Sequence, residues 1–243
     1  MMSDDGTLSP AFILHVRKFR DTSVIIELLT EQEGRISAVM RGVRTRKSKT
    51  ASFVRPFTQV LVSWFGRSEL KTVKTMDFPV RAASLSGDTL MLGMYVNELL
   101  VRLLGKFDPV PDIFSAYGEL LDRLERGDTV VAALRHFELV LLAALGYGIT
   151  FDIEAGTGQP VSSEALYRYA PDEGFHRLDE GIAEPSARQV FRGDVLLAIS
   201  EGRLSDPEVD RSARQVIRSS LGILLGGRDL KSRELFRRVE DLT

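Results

Sequence analysis

The chain has 243 residues, of which 44% are hydrophobic and 27% are charged, and its formal net charge is −2. Such a composition is that of an ordinary globular protein, with room for one large domain or two small ones. It contains no cysteine and no apolar run of the ~18 residues that a membrane helix needs. Disulfides, thiol catalysis, cysteine zinc sites and membrane helices are therefore excluded. The acidic start MMSDDGTLSP lacks a signal peptide's charged and apolar regions. A bacterial cytosol fits a chain without cysteine.

Charge is distributed unevenly along the chain. Residues 1–80 carry a balance of +5, whereas residues 81–243 carry −7. Between Arg41 and Lys74, nine residues are basic and only Glu69 is acidic. This asymmetry indicates a polyanion as the partner of the first part of the chain.

The first part is predicted to be β-structure. Ser23–Thr30 is a continuous apolar run, which is typical of a strand buried on both faces. The predicted strands are Ala11–Phe19, Ser23–Thr30, Arg35–Val43, Phe57–Phe65 and Glu69–Phe78. Five antiparallel strands in a small domain must close up or leave long edges, so we predict a five-stranded β-barrel of the OB type. An SH3-like barrel fits the same pattern.

A basic loop, Arg44–Pro56, joins the third and fourth predicted strands. Lysine and arginine can displace the counterions of a phosphate backbone, and Ser48, Thr50 and Ser52 can add neutral donors. We therefore predict a nucleic-acid-binding surface made of basic side chains: Arg35, Arg41, Arg44, Arg46, Lys47, Lys49, Arg67, Lys71 and Lys74. The alternative is a solvated, flexible loop.

Aromatic residues alternate with these basic ones, namely Phe53, Phe57, Trp64 and Phe65. Stacking on nucleobases is one use for such side chains. For any single one of them, packing in the core or at an edge is the expected role.

The hydrophobic period changes from two to 3.6 between Pro79 and Asp88, where we place a domain boundary. We predict a barrel domain over 1–80 and an all-helical domain over 81–243, with an irregular insertion at 149–185. The predicted helices are Thr89–Leu104, one from Pro111 to Gly127, Val130–Gly148, Ser186–Ser200, Pro207–Leu225 and Ser232–Leu242. Within the insertion, Ala165–Ala170 and Gly174–Leu178 could form a hairpin.

The stretch Val130–Gly148 is apolar on nearly every side and is broken only by Arg135, His136 and Glu138. A helix of this kind is normally buried all round, so we predict that it is the central helix of the second domain. Asp128 or Thr129 can cap its start, and Gly146 can end it.

No constellation of catalytic residues is apparent. The three histidines, His15, His136 and His176, are not at metal-ligand spacing, and no nucleophile motif or phosphate-binding loop occurs. We therefore predict no catalytic residue, no metal, no cofactor and no enzymatic activity.

Four stretches resemble the bacterial recombination-mediator family RecO. They are AFILHVRKFRDTSVIIELLTEQEGR, YVNELLVRLL, FELVLLAALGYGITF and LGGRDLKSRELF. Together with the basic loop they cover nearly the whole chain in the family's order, and they look most like the proteobacterial branch. Some relatives carry a four-cysteine zinc motif after the LGYG stretch, but the sequence here is ITFDIEAGTGQP, so zinc is not carried over.

The resemblance implies an OB barrel, a helical domain and a role in DNA repair. Family members bind single- and double-stranded DNA, anneal complementary strands and act with RecR. They help the RecA recombinase to load onto DNA coated with single-strand-binding protein. The resemblance thus implies a cytoplasmic, nucleoid-associated protein with these partners.

The family also docks the acidic, apolar C-terminal tail of single-strand-binding protein on the helical domain. Such a tail needs an apolar pocket edged by a cation, and Arg135 is the first candidate. Lys231 and Arg233 are a second candidate pair. The structural alternatives are a pairing of Arg135 with Glu138 or Glu98, and a surface helix end for the other two.

Two other classes of function remain open. An OB barrel also accepts RNA, so the chain could be an RNA-binding module. It could also be a nucleic-acid-processing enzyme such as a nuclease, although the absence of a carboxylate cluster argues against this.

Overall fold

A computed structural model describes residues 7–45, 50–178 and 190–232. Its first elements are β1 (Ser9–Phe19), β2 (Ser23–Thr30), β3 (Gly34–Met40), β4 (Thr58–Phe65), β5 (Leu70–Ala82), α1 (Gly87–Leu103) and α2 (Pro111–Arg126). The elements that follow are α3 (Val130–Ala144), β6 (Leu166–Ala170), β7 (Gly174–Arg177), β8 (Val190–Arg192), α4 (Gly193–Ser200) and α5 (Pro207–Leu224). No helix among the described residues has the length and apolar character needed to cross a membrane.

Strands β1 to β5 form a closed barrel with the order β1-β2-β3-β5-β4. Neighbouring strands are antiparallel except β3 and β5, which pair in parallel from Ser37 opposite Leu70 to Val39 opposite Thr72. The predicted five-stranded barrel of the OB type is confirmed. Its interior is apolar and includes Ala11, Ile13, Val24, Ile26, Leu28, Ile36, Ala38, Val60, Val62 and Trp64.

The outer face of β1 and β2 is covered as well. Phe12 on β1 contacts the rings of Phe114 and Tyr117 on α2, with centroid distances of 5.0 Å in both cases. Asn97 on α1 donates a hydrogen bond to the carbonyl of Leu14 at 2.7 Å, and the Tyr117 hydroxyl donates to Asn97 Oδ1 at 2.6 Å. Helices α1 and α2 therefore pack on the barrel, and β2 is buried on both faces as its sequence predicts.

Most predicted elements of the first part are confirmed, with shifted ends. Strand β3 ends at Met40 instead of Val43, and β5 continues to Ala82. Helix α2 begins with Pro111 and ends at Gly127, whose φ of 73° is the left-handed conformation that glycine adopts easily.

Helix α3 is buried on one face only. Leu134, Phe137, Leu141 and Leu142 are buried, whereas Val131 is 49% exposed. The prediction of burial on all sides is wrong, because a helix of alanine, valine and leucine is apolar all round but needs only one of its faces for packing. Gly146, with a φ of 83°, follows the helix end as predicted.

The insertion contains a regular sheet. The predicted hairpin is confirmed as β6 and β7, and β8 adds a third strand to give the order β7-β6-β8. Buried aromatic side chains fill this small sheet: Tyr167, Tyr169, Phe175 and Phe191.

The helix predicted over Ser186–Ser200 begins only at Gly193. Residues 190–192 form β8 instead, and residues 186–189 lie outside the described residues. Gly193 allows this arrangement, since a Cβ there would lie 1.9 Å from the carbonyl oxygen of Ser162. Helix α5 is close to its prediction, and the Asp206 side chain caps it by accepting a hydrogen bond from the backbone N–H of Glu208 at 2.8 Å.

Contacts divide the chain into two compact units. The first unit contains the described residues up to Gly127 and from Asp229 onward, and the second is Asp128–Arg228. The returning segment is held by Glu98, whose carboxylate accepts hydrogen bonds from the backbone N–H groups of Lys231 at 2.9 Å and Ser232 at 2.8 Å. Helices α1 and α2 belong to the same compact unit as the barrel. The predicted domain boundary near residue 80 stays a prediction.

Candidate nucleic-acid interface

One end of the barrel carries exposed basic side chains from two separate parts of the chain. We call this set the basic rim: Arg17, Lys18, Arg20, Arg41 and Arg44. Asp21, also exposed, is the acidic residue in the turn between β1 and β2. The clustering of these cations produces a local positive potential that the net charge of −2 does not reveal.

Strand register brings the two parts of the rim together. Lys18 on β1 is opposite Val24 on β2, and Val24 is opposite Met40 on β3. Beyond β3, the backbone N–H of Arg44 donates to the carbonyl of Thr22 at 2.9 Å. Its guanidinium Nη1 donates to the carbonyl of Arg20 at 3.1 Å, so the start of the basic loop is fixed to the β1–β2 turn.

The sequence pattern predicts Arg41 and Arg44 for this surface, but Arg17, Lys18 and Arg20 were not predicted. The available signal was the run HVRKFR directly before the predicted turn at Asp21. Its relevance depends on which turn lies beside the basic loop, and only the pairing of β1, β2 and β3 shows that. Arg46, Lys47 and Lys49, which were predicted for the same surface, lie outside the described residues.

The hairpin between β4 and β5 contributes further cations. Arg67 and Lys74 are exposed. Lys71 is partly buried, since its Nζ donates to the carbonyl of Gly66 at 3.0 Å and lies 4.7 Å from the centre of the Phe107 ring. The structure therefore leaves Arg67 and Lys74 more accessible to a phosphate than Lys71.

Arg35 has a structural environment instead. Its Nη1 donates to Glu27 Oε2 at 2.9 Å and its Nε donates to the carbonyl of Leu104 at 3.0 Å. The side chain is only 12% exposed, and Ser37 also donates to the Glu27 carboxylate. The predicted contact of Arg35 with DNA stays a prediction, and this geometry does not favour it.

The aromatic residues divide into two groups. Phe57 and Trp64 are 6% and 5% exposed, which fits the expected packing role. Phe65 is 48% exposed and Phe53 is 38% exposed. The ring of Phe53 already stacks on Phe78, with centroids 5.8 Å apart and an interplanar angle of 29°. Phe65 is therefore the more accessible of the two.

Arg135, the first candidate for tail binding, lies in the second unit and is 8% exposed. Its Nη1 donates to Glu138 Oε2 at 2.5 Å and its Nε donates to Asp210 Oδ1 at 2.8 Å, which links α3 to α5. Burial lowers the pKa of Arg135, but the two carboxylates outweigh burial and raise that pKa above its ordinary value. The guanidinium is thus charged and engaged with Glu138, the structural alternative considered above.

The other tail-binding candidates are less constrained. Lys231 is exposed, while Arg233 lies outside the described residues. Glu98, the alternative partner of Arg135, instead pairs with Arg102 Nη2 at 2.6 Å.

An open cavity of about 560 Å³ lies in the second unit and is bordered by Glu154, Asp172 and Glu173. The negative charge of these side chains does not suit an acidic tail.

Within the part of the chain that the structure describes, no group of three or more histidine, aspartate or glutamate side chains could hold a metal ion. His176 Nε2 lies 2.8 Å from Glu173 Oε2, which makes a pair and not a group of three. The expected absence of a metal and of catalysis stays a prediction.

The fold defines the class first: the chain is an OB-barrel protein with a helical second part. Residues 2–78 match the family model described as "Recombination protein O N terminal", and residues 84–234 match "Recombination protein O C terminal". The chain therefore belongs to the RecO family.

Curated relatives carry the same family name. The "DNA repair protein RecO" of Cellvibrio japonicus is 42% identical over 229 residues, which cover 94% of this chain and 96% of that protein. The proteins of the same name from Yersinia pestis (strain Pestoides F) and Aliivibrio fischeri (strain MJ11) are 41% and 37% identical, over 93% and 94% of this chain and 92% and 94% of their own lengths. Membership of this family gives the chain a role in DNA repair and recombination.

Proposed function

We propose that this chain is a recombination mediator that binds single- and double-stranded DNA through the basic rim. It anneals complementary single strands and helps RecA to load onto DNA coated with single-strand-binding protein. RecR is its further partner, and it works in the bacterial cytoplasm at the nucleoid. The observation that carries the DNA-binding part is the exposed cluster formed by two segments at one end of the barrel.

The chemistry of the rim suits a phosphate backbone. Exposed lysine and arginine side chains release condensed counterions when they contact phosphates, which gives affinity without sequence preference. Neutralising the phosphates of two strands also lowers their mutual repulsion, which favours annealing. No nucleotide hydrolysis is required for either step.

The barrel geometry favours the rim over the face that OB proteins commonly use. In many OB folds the outer face of strands 2 and 3, together with the loops 1–2 and 4–5, binds the nucleic acid. Here Ile25 and Leu29 on the outer face of β2 are 2% and 0% exposed, and Arg35 is paired with Glu27. DNA would therefore contact the loops and the strand ends, where the exposed cations are.

The double variant Arg41→Ala/Arg44→Ala tests this interface. At near-physiological salt we expect about tenfold weaker binding to a single-stranded oligonucleotide. The slope of log K against log salt should decrease by about 1.4, since each phosphate contact contributes roughly 0.7. Affinity measured by fluorescence anisotropy over a salt series gives both quantities.

The matched control is Arg123→Ala/Arg126→Ala, which removes two exposed cations from α2. We expect it to keep the wild-type slope. Equal slopes for the rim variant and wild type would remove the rim from the interface. Competition between DNA and RNA of the same sequence distinguishes this proposal from an RNA-binding module, and a cleavage assay with magnesium tests for a nuclease.

For the tail of single-strand-binding protein, Lys231 is a better candidate than Arg135 because its side chain is exposed. Arg135 is engaged by two carboxylates, whereas the side chain of Lys231 is exposed. A peptide that copies the tail should bind the wild type more tightly than Lys231→Ala. Equal affinities would exclude a role for Lys231.

A further inference from the structure

The hairpin between β4 and β5 presents the ring of Phe65 to solvent, and Lys74 on β5 is exposed as well. Trp64 is opposite Val73, and both belong to the barrel interior. Since side chains alternate along a strand, Phe65 and its partner Thr72 lie on the outer face. The exposed Lys74 lies at the bulge where β5 has one extra residue opposite Ser63 and Trp64. Phe65 is 48% exposed and Leu70, at the other end of the hairpin turn, is 36% exposed. We call Phe65, Leu70, Thr72 and Lys74 the hairpin face.

This face continues toward the basic rim. Phe65 is opposite Thr72 on β5, and Thr72 is opposite Val39 on β3. Lys74 follows Thr72 by two residues along β5, and Arg41 comes directly after β3, which ends at Met40. The exposed ring is therefore separated from Lys74 by two residues of β5, and the outer face of β5 and β3 leads from there toward Arg41.

Hydrogen bonds and an ion pair hold the turn of this hairpin in place. Lys71 Nζ donates to the carbonyl of Gly66 at 3.0 Å, and Ser68 Oγ donates to the carbonyl of Leu70 at 2.8 Å. Lys106 forms an ion pair with Glu69. These contacts fix the turn, so Phe65 is presented on a preorganised platform, and a ligand that covers it has little conformational entropy to remove.

We propose that Phe65 stacks on a nucleobase of a single DNA strand whose phosphates lie along Arg41 and Lys74. This inference rests on the proposed DNA binding and assigns it a base-contacting residue. A ring beside cations is the arrangement by which proteins hold single strands without reading their sequence. In a duplex the bases already stack on one another, so Phe65 favours single strands over duplex.

The test compares Phe65→Leu with wild type on three ligands: single-stranded oligo-dT, an abasic oligonucleotide of the same length, and a duplex. The leucine keeps an apolar side chain but removes the aromatic face. We expect about 5- to 50-fold weaker binding to oligo-dT, as removal of one stacked base contact predicts. Binding to the abasic strand and to the duplex should change by less than about twofold, and the salt slope should stay the same.

Two further variants complete the design. Phe65→Trp keeps a stacking surface and should bind oligo-dT at least as tightly as wild type. Phe53→Leu removes another exposed phenylalanine, whose ring already stacks on Phe78, and should bind like wild type. The fluorescence of Trp64, the sole tryptophan in the sequence, reports that the barrel of each leucine variant is folded.

The outcomes separate this inference from the proposed function. If wild type binds none of the three ligands, the proposed DNA binding fails. If Arg41→Ala/Arg44→Ala weakens binding to both single strands while Phe65→Leu binds oligo-dT like wild type, only the stacking role is overturned. Loss of binding to a partner protein alone would assign the hairpin face to protein docking.

Discussion

The cations of the basic rim are exposed at the end of a barrel, whereas Arg135 is 8% exposed and contacts two carboxylates in the second unit. From the sequence alone, both are basic residues next to apolar strands or helices. The rim has one acidic residue in its turn, Asp21, whereas Arg135 has Glu138 three positions along its own helix. Burial and the nearest carboxylate, more than residue type, separate a cation that can bind a ligand from one that holds helices together.

The largest expected effect is a loss of stability on removal of Arg135, the buried cation. Arg135→Ala removes a cation that pairs with Glu138, whose side chain is 2% exposed, and with Asp210. Removing one partner of a buried ion pair typically costs about 3–5 kcal/mol, so we expect the free energy of unfolding to fall by this amount. Urea denaturation followed by circular dichroism measures it.

The control for that prediction is Arg135→Met/Glu138→Leu, which removes both charges and should recover much of the lost stability. If Arg135→Ala unfolds at the wild-type urea concentration but no longer binds a tail peptide, Arg135 is a ligand-binding cation after all. The contrast with the rim would then disappear.

A smaller loss of stability is expected at Arg35. It lies in the barrel, but like Arg135 it is little exposed and paired with a carboxylate. Arg35→Ala removes hydrogen bonds to Glu27 and to the carbonyl of Leu104, and we expect a loss of about 2–3 kcal/mol in unfolding free energy. The salt slope of DNA binding should stay at the wild-type value. Arg41→Ala should show the reverse, with stability within about 0.5 kcal/mol of wild type and a smaller slope.

Parallel urea and anisotropy measurements on these two single variants decide the point. A reduced salt slope in Arg35→Ala at unchanged stability would place Arg35 in the interface, as the sequence predicts.

The smallest expected effect is the pH-dependent stability that Glu98 on α1 contributes by binding Lys231 and Ser232. Burial raises the pKa of Glu98, but hydrogen bonds from Ser232 and Lys231 and the charge of Arg102 outweigh it, so the pKa is below the ordinary value of 4.5. A carboxylate with a lowered pKa stabilises the fold above its ordinary pKa, and this contribution is lost as the pH falls below that value. We expect Glu98→Gln to cost about 1 kcal/mol at pH 7 and to match wild type in strong acid.

Urea midpoints at neutral and acidic pH test this, with Glu119→Gln on the exposed side of α2 as the control. A constant difference between Glu98→Gln and wild type at every pH would contradict the assignment.

Much of the barrel could be predicted because its strands carry local signals. The apolar run Ser23–Thr30 and the turn at Gly66 define their elements without help from the rest of the chain. The parallel pairing of β3 with β5 carries no such signal, because it joins residues more than thirty positions apart. The basic run before Asp21 was missed because its proximity to Arg44 follows from the register of β1, β2 and β3, which the separate strand patterns do not give.

The second unit was harder to predict for a related reason. Val190–Arg192 is too short for a clear alternation, and its partner strand β6 is more than twenty positions earlier in the chain. Likewise, an apolar helix such as α3 does not reveal which of its faces will be covered. Arg135 could be assigned both a structural and a functional role from sequence, and only its distances to Glu138 and Asp210 separate them.

The contacts of Glu98 also bear on how the chain folds during synthesis. Lys231, whose backbone N–H reaches that carboxylate, follows it by 133 residues. At bacterial elongation rates of roughly 5–20 residues per second, Lys231 is synthesised roughly 7 to 27 s after Glu98. The barrel, α1 and α2 are therefore synthesised well before the segment that supplies these two backbone donors to Glu98.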